Sequence, residues 1–155
     1  MNDALSRLAD EVGLQHDANT RLRLAFGLAC VNRVQHLLED PEAVECVKVL
    51  RAWVEGKCGD DALGRAAQGA ARIANGHRGS NSIDGAAHAA VSATYAVAKA
   101  LDGRALEAAS YAAYASVYAY GGYAVTDPAS FEPEFAWQRE TLRQLARDSA
   151  ALRQG

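Results

Sequence analysis

The sequence predicts an all-α fold, and three observations support this prediction. Apolar residues recur at three- and four-residue intervals along most of the 155-residue chain. Short breakers containing glycine, proline or aspartate divide these segments, and no segment shows the alternation typical of a half-buried strand. The chain also has 34 alanines, which favour helix and let helix axes approach closely. We therefore expect one compact domain over 1–155, built from six or seven closely packed, alanine-rich helices.

The first three helices are predicted at 1–13, 19–39 and 42–55. The first has apolar residues on one side and charged residues on the other, which is typical of an amphipathic surface helix and not of a signal peptide. The second begins at a cap formed by Asn19 or Thr20, and its first half is apolar nearly all round, so we expect it to be central. Asp40 and Pro41 end it and start the third helix, because proline suits a first helical turn.

The remaining helices are predicted at 62–75, at 82–101, between Asp102-Gly103 and Gly121-Gly122, and at 131–152. Their limits are set by breakers: residues 75–82 form the longest polar break in the middle of the chain, and the two glycine-containing pairs mark turns. Seven helices of these lengths would occupy about two thirds of the chain, well above the usual share of about one third.

Five of the six tyrosines lie between Tyr111 and Tyr123, in and just after the sixth predicted helix, within an uncharged run at 108–126. The run is long enough to span a bilayer. It has no Leu, Ile or Phe, however, and its tyrosines would lie at the bilayer centre, so we do not expect a membrane span. At ~100° per residue, Tyr111, Tyr114 and Tyr118 share one side of a helix and Tyr120 points nearly the opposite way. Two interpretations stay open: packing between helices, and a surface that faces a partner or ligand.

Charge and cysteine content exclude several classes of protein. The net charge is −3 and the pI about 5.8, and nucleic-acid binding usually needs a clustered basic face, so we expect no nucleic-acid partner. Cys30, Cys46 and Cys58 are odd in number and form no C-x-x-C, which indicates neither a disulfide framework nor a zinc knuckle. We expect reduced, mostly buried thiols in a cytoplasmic protein.

Metal-ligand and cofactor patterns are weak. Di-metal helical bundles use paired Glu-x-x-His motifs, whereas this chain has one reversed pair, His36 and Glu39. Asp84 and His88 are four residues apart and could share a helix face, but two ligands do not make a site, and a helix-stabilising pair is the expected arrangement. We therefore expect no bound metal and no cofactor.

Catalytic patterns are also weak. His77 and Arg78 lie just before a predicted helix start, where backbone amides could cradle an anion. The Lys-Ser/Thr ending of a P-loop is missing. We find no G-x-S-x-G elbow and no cysteine with a nearby histidine. The sequence predicts a protein that is not an enzyme.

Three stretches resemble a bacterial family of putative immunity proteins, the type-five-like group associated with polymorphic toxin systems. The stretch "ACVNRVQHLLEDPEAVECVKVLRAWVEGKCGDDAL" at 29–63 is similar to the family's helix-turn-helix, with "LLEDPE" at the turn and "RAWVEGK" closing the second helix. The stretch "GAAHAAVSATYAVAKAL" at 85–101 is similar to its alanine-histidine helix. His88 matches, and Tyr95 stands where a second histidine is frequent. The stretch "EFAWQRETLRQL" at 134–145 resembles its closing Trp-Gln-Arg helix.

The resemblance implies a protein that neutralises a cognate protein toxin by occluding the toxin's active site. A preformed surface with aromatic and arginine anchors would suit that role, and the candidate partner-binding residues are Arg72, His77, Arg78, Tyr111, Tyr114 and Tyr118. The alternative is a helical module that binds a small ligand or metal in its interior, with His36, Glu39, Asp84, His88 and Tyr95 as the binding residues. The many small residues also predict that the chain self-associates through one helical face, with a homodimer as the candidate assembly.

Overall fold

The computed structural model of the chain describes residues 2–76 and 86–154, which form seven α-helices and no strand. The helices are α1 (Asp3–Val12), α2 (Thr20–Asn32), α3 (Pro41–Val54), α4 (Asp60–Gly76), α5 (Ala86–Leu101), α6 (Ala105–Tyr120) and α7 (Glu132–Gln154). Short 3-10 turns lie at Asp17–Asn19, Gln35–Leu37, Gly122–Thr126 and Pro128–Phe131. The predicted all-α class is therefore confirmed. The predicted start of the fifth helix at 82–85 lies outside the described residues.

Helix α2 is the centre of the fold, as its apolar sequence predicts. It packs against α3, α5, α6 and α7, and seven of its thirteen residues are buried. Phe26 is fully buried, and the main hydrophobic core around it includes residues from all seven helices. Helix α1 packs on α7, and α3 and α4 pack on each other at the other side.

The second helix is shorter than the sequence predicts. It ends at Asn32 and not at Glu39, and the chain continues through Arg33 and Val34 into a 3-10 turn. The Arg33 side chain bonds to Glu134 and its guanidinium carbon lies 4.5 Å from the ring centre of Trp137. Because no glycine or proline marks this break, the helical pattern of the sequence runs on through it.

Small residues bring α2 and α5 close together. A Cβ placed on Gly27 would lie 3.0 Å from the Ala100 Cβ and 3.2 Å from its Cα. The two backbones therefore touch at a point where even alanine on α2 would be crowded. This close approach agrees with the role that the alanine content predicts for the chain.

Helices α5 and α6 form a tight antiparallel pair. The connection spans only three residues, in which Gly103 adopts a left-handed conformation with φ of +77°. The Arg104 amide donates to the Lys99 carbonyl at 2.9 Å and closes the end of α5. Such a conformation favours glycine, so the turn follows directly from the Asp102-Gly103 pair.

Buried polar contacts fix the last helix. Gln138 is 1% exposed, and its side-chain amide donates to the Ala109 carbonyl of α6 at 2.8 Å. The Asn2 side chain, which caps α1, lies 3.4 Å from the Gln138 oxygen. The Trp-Gln-Arg segment of α7 thus joins α7 to the residue that follows α2 through Trp137, to α6 through Gln138 and to the cap of α1 through Arg139.

Within the described residues, the structure contains no helix that is both long enough and apolar enough to cross a membrane. Helix α6 holds residues 108–120 of the tyrosine-rich run and has seven buried residues that pack on the core, five of which are alanine between Ala108 and Ala115. The run is therefore part of the folded helical assembly.

Candidate partner-binding surface

Two stacked ring pairs link α5 to α6. The rings of His88 and Tyr118 are 5.2 Å apart and inclined by 27°, and those of Tyr95 and Tyr111 are 5.2 Å apart and inclined by 20°. His88 and Tyr95 are seven residues apart on α5. Their partners on α6, Tyr118 and Tyr111, are also seven residues apart, in the reverse order along the chain. Because seven residues are close to two helical turns, the antiparallel pairing places both stacks on one side of the helix pair.

Tyr114 lies between the two stacks along α6. Its ring centre is 6.2 Å from that of Tyr118, and its ring meets Phe131 edge-on at 5.2 Å. Tyr114 is 40% exposed, while Tyr111 and Tyr118 are half-buried. We call the set of His88, Tyr95, Tyr111, Tyr114 and Tyr118 the aromatic face.

The aromatic face carries no formal charge. Neither 86–98 on α5 nor 108–126 on and after α6 contains Asp, Glu, Lys or Arg. Within the described part of the chain, the hydroxyls of its four tyrosines make no hydrogen bond to other protein atoms. Each phenol therefore presents an anchored ring and a free donor and acceptor to whatever lies against it.

The predicted partner-binding residues divide into three groups. Tyr111, Tyr114 and Tyr118 come together on the aromatic face, as their spacing predicts, and Tyr120 points away from them with 81% of its surface exposed. Arg72 is exposed on α4 and lies 3.9 Å from the Glu42 carboxylate. His77 and Arg78 lie outside the described residues.

Of the five alternative ligand-binding residues, the four that the structure describes do not enclose one interior site. His36 and Glu39 are exposed in the segment before α3, and His88 is exposed on α5. Tyr95 lines a cleft between α4 and α5, whereas His36 lines a different cleft beside the end of α6. Asp84 lies outside the described residues, and among the residues that are described no group of three or more His, Cys, Asp or Glu side chains could hold a metal ion.

Sequence reasoning missed that His88 and Tyr95 belong with the tyrosines of α6. It assigned these two residues to a separate ligand site, whereas each forms a stacked pair with a tyrosine across the helix pair. The matching seven-residue spacings on two helices joined by an Asp-Gly turn were the available signal. Tyr95, in the place where a second histidine is frequent, completes an aromatic stack.

The residues that carry the resemblance to immunity proteins have structural roles here. The Trp53 indole donates to the Asp60 carboxylate at 2.8 Å and ties the end of α3 to the start of α4. Gly56 follows α3 in a left-handed conformation with φ of +75°. With the Trp-Gln-Arg segment of α7, these contacts hold the framework on which the aromatic face is built.

Comparison with known proteins identifies a family. The family model described as Imm-5 like putative immunity protein matches residues 15–145, which include all helices but α1 and the last turns of α7. Searches of curated proteins and of solved structures gave no significant match.

Proposed function

Because the chain belongs to the Imm-5 like putative immunity protein family, we propose that it binds and neutralises a protein toxin, with the aromatic face as the contact surface. The chain acts in this proposal by covering the toxin's active site or the path to it. It carries out no reaction of its own. Its place of action is the cytoplasm of the producing cell, where an incoming toxin would meet its target.

The composition of the aromatic face is the observation that carries this proposal. The centres of protein interfaces are depleted in charge and enriched in aromatic residues, and this face has five rings and no charged side chain. Tyrosine is well suited to recognition because it offers a large, rigid contact area with only two side-chain torsions to fix.

The stacking geometry makes the surface rigid before binding. His88, Tyr95, Tyr111 and Tyr118 are held in pairs, and Tyr114 is supported by Phe131. A side chain that is already ordered loses little entropy when a partner covers it, whereas ordering a free one costs about 0.5–1.5 kcal/mol. Preorganisation of this kind favours tight binding by a small surface.

Charged residues outside the face complete the proposed contact. Among the described residues, Arg72 has only a long ion pair, with Glu42 at 3.9 Å, so its guanidinium can pair with a carboxylate of the partner. His77 and Arg78 stay in the proposal as candidates from the sequence. Charged groups at the rim of an interface mainly change the association rate.

If a gene beside this one encodes a toxin-like protein, co-expression with that product tests the proposal. We expect the wild-type chain to restore growth of cells that express this product, and Tyr114→Ala to weaken both rescue and binding about 30-fold, as for an interface anchor worth about 2 kcal/mol. Tyr120→Ala is the matched control, because Tyr120 is more exposed and, at ~100° per residue, points away from the aromatic face. No rescue by the wild-type chain, or equal effects of the two variants, would contradict the proposal.

A further inference from the structure

A cleft between α4 and α5 adjoins the aromatic face. It has a volume of about 170 Å³ and is lined by Ala67, Ala71, Ala74 and Ala98, with Tyr95 and Asn75 also at its wall. We call it the alanine cleft. Since Tyr95 lines the cleft and also stacks on Tyr111, the cleft and the aromatic face form one continuous surface.

The volume of the cleft indicates the size of its occupant. Small-molecule and cofactor sites usually measure about 300–1,000 Å³, so the alanine cleft is too small for such a ligand. A cavity of about 150 Å³ accepts a benzene ring. One aromatic or branched aliphatic side chain therefore matches the space.

The charges at the cleft favour an apolar occupant. Lys99 and Asp102 also line it, but the Lys99 ammonium pairs with Glu107 at 3.2 Å and the Asp102 carboxylate with Arg104 at 2.9 Å. Each charge thus has its counterion within the chain. A charged side chain that entered the cleft would lose its hydration beside alanine methyl groups. No unpaired charge at the cleft would compensate for that loss.

Two polar side chains at the wall of the cleft can form hydrogen bonds with the partner's backbone on either side of such an occupant. The Tyr95 hydroxyl and the exposed Asn75 amide make no hydrogen bonds within the described part of the chain. Both offer donors and acceptors beside an apolar pocket. A peptide segment that inserts one side chain must have its neighbouring N–H and C=O groups satisfied at the rim.

We propose that the alanine cleft receives one apolar side chain from the surface of the protein toxin, as the anchor of the contact made by the aromatic face. The inference rests on the proposed function and adds a specific attachment point to it. Anchor residues that fill a desolvated pocket near the centre of an interface carry most of its binding energy. The partner's contact surface thus has a protruding aromatic or branched aliphatic side chain among neutral residues.

A cleft-filling variant tests the inference. Ala71 is exposed on α4 and lines the cleft, so Ala71→Leu should occupy it with a side chain of the chain itself, at little cost in helix propensity. The matched control is Ala150→Leu, an exposed alanine on α7 that lines neither cleft. Ala71→Met serves as a second, more flexible filler, and thermal unfolding checks that all three variants are folded.

The probe is the purified toxin-like product of the neighbouring gene, titrated calorimetrically into each variant. We expect a loss of affinity of about 30-fold or more for both Ala71 variants and a change within twofold for Ala150→Leu. If Tyr114→Ala weakens binding and the Ala71 variants do not, the inference is wrong and the proposed function stands. If the wild-type chain does not bind the probe, both are wrong.

Sedimentation of the chain alone tests whether the cleft is filled by a second copy of this chain and not by a toxin. We expect Ala71→Leu to leave the mass of the wild-type particle unchanged at every concentration. A wild-type dimer that the Ala71 variants convert to monomers would show that a second copy of this chain fills the cleft, which overturns the inference.

Discussion

The crossing of α2 and α5 at Gly27 offers the sharpest test of how alanine and glycine determine this fold. Replacing Gly27 by alanine adds one methyl group that would lie 3.0 Å from the Ala100 Cβ and 3.2 Å from its Cα. Because the second of these atoms belongs to the backbone, no side-chain rotation can relieve the contact. The two helices must move apart or the core must shift.

Two opposing effects set the magnitude. Alanine in a helix interior is more favourable than glycine by about 0.5–1 kcal/mol. Overpacking a well-filled core by one methylene or methyl group costs about 1–3 kcal/mol. The difference between the middles of these ranges leads us to expect that Gly27→Ala lowers the free energy of unfolding by about 1 kcal/mol.

Gly64 provides a matched control within α4. It is an exposed helical glycine, and a Cβ there would meet nothing within 4 Å. Gly64→Ala should therefore raise the free energy of unfolding by about 0.5–1 kcal/mol through helix propensity alone. For a chain of this size, each kcal/mol of added stability raises Tm by roughly 2–4 °C.

Urea unfolding followed by circular dichroism measures both changes. We expect opposite signs for the two variants, with the same dependence on urea concentration as in the wild-type chain. If Gly27→Ala stabilises the protein as much as Gly64→Ala does, the backbone contact between α2 and α5 is not tight. The idea that small residues set the helix spacing would then be refuted.

Three further outcomes are expected from equilibrium unfolding. Gln138→Leu should cost about 1 kcal/mol, since it removes the bond to the Ala109 carbonyl and the long 3.4 Å contact with the Asn2 amide, while Gln138→Ala should cost about 2–4 kcal/mol because it also leaves a cavity; equal costs would contradict this. Trp53→Phe should cost about 1 kcal/mol by removing the hydrogen bond to Asp60, and no loss would show that the bond does not hold α3 to α4. Burial, assisted by the Glu134 carboxylate, raises the pKa of the Cys30 thiol well above its ordinary value of 9.0. The unfolded thiol therefore ionises first as pH rises through 9, and this contribution to stability is present below pH 9 and falls above it by up to about 1.4 kcal/mol per pH unit; Cys30→Ala should flatten this dependence.

Much of the fold was predictable because it depends on local pattern. The helix starting at Pro41 and the turn at Gly103 follow from proline and glycine chemistry that acts within a few residues. The central position of α2 follows from a helix that is apolar nearly all round. The early end of α2 at Asn32 was not predictable, because no local signal marks it and Arg33 finds its partners a hundred residues away on α7.

The candidate surface was likewise predictable from the sequence only in part. The sequence by itself determined that Tyr111, Tyr114 and Tyr118 share one side of a helix, because helical geometry fixes directions around a single axis. Only the tertiary structure decided that His88 and Tyr95 join them, since this depends on the register of α5 against α6. It also decided that an alanine cleft opens beside Tyr95, because a gap between two helices depends on how far apart they pack, a distance that neither helix specifies alone.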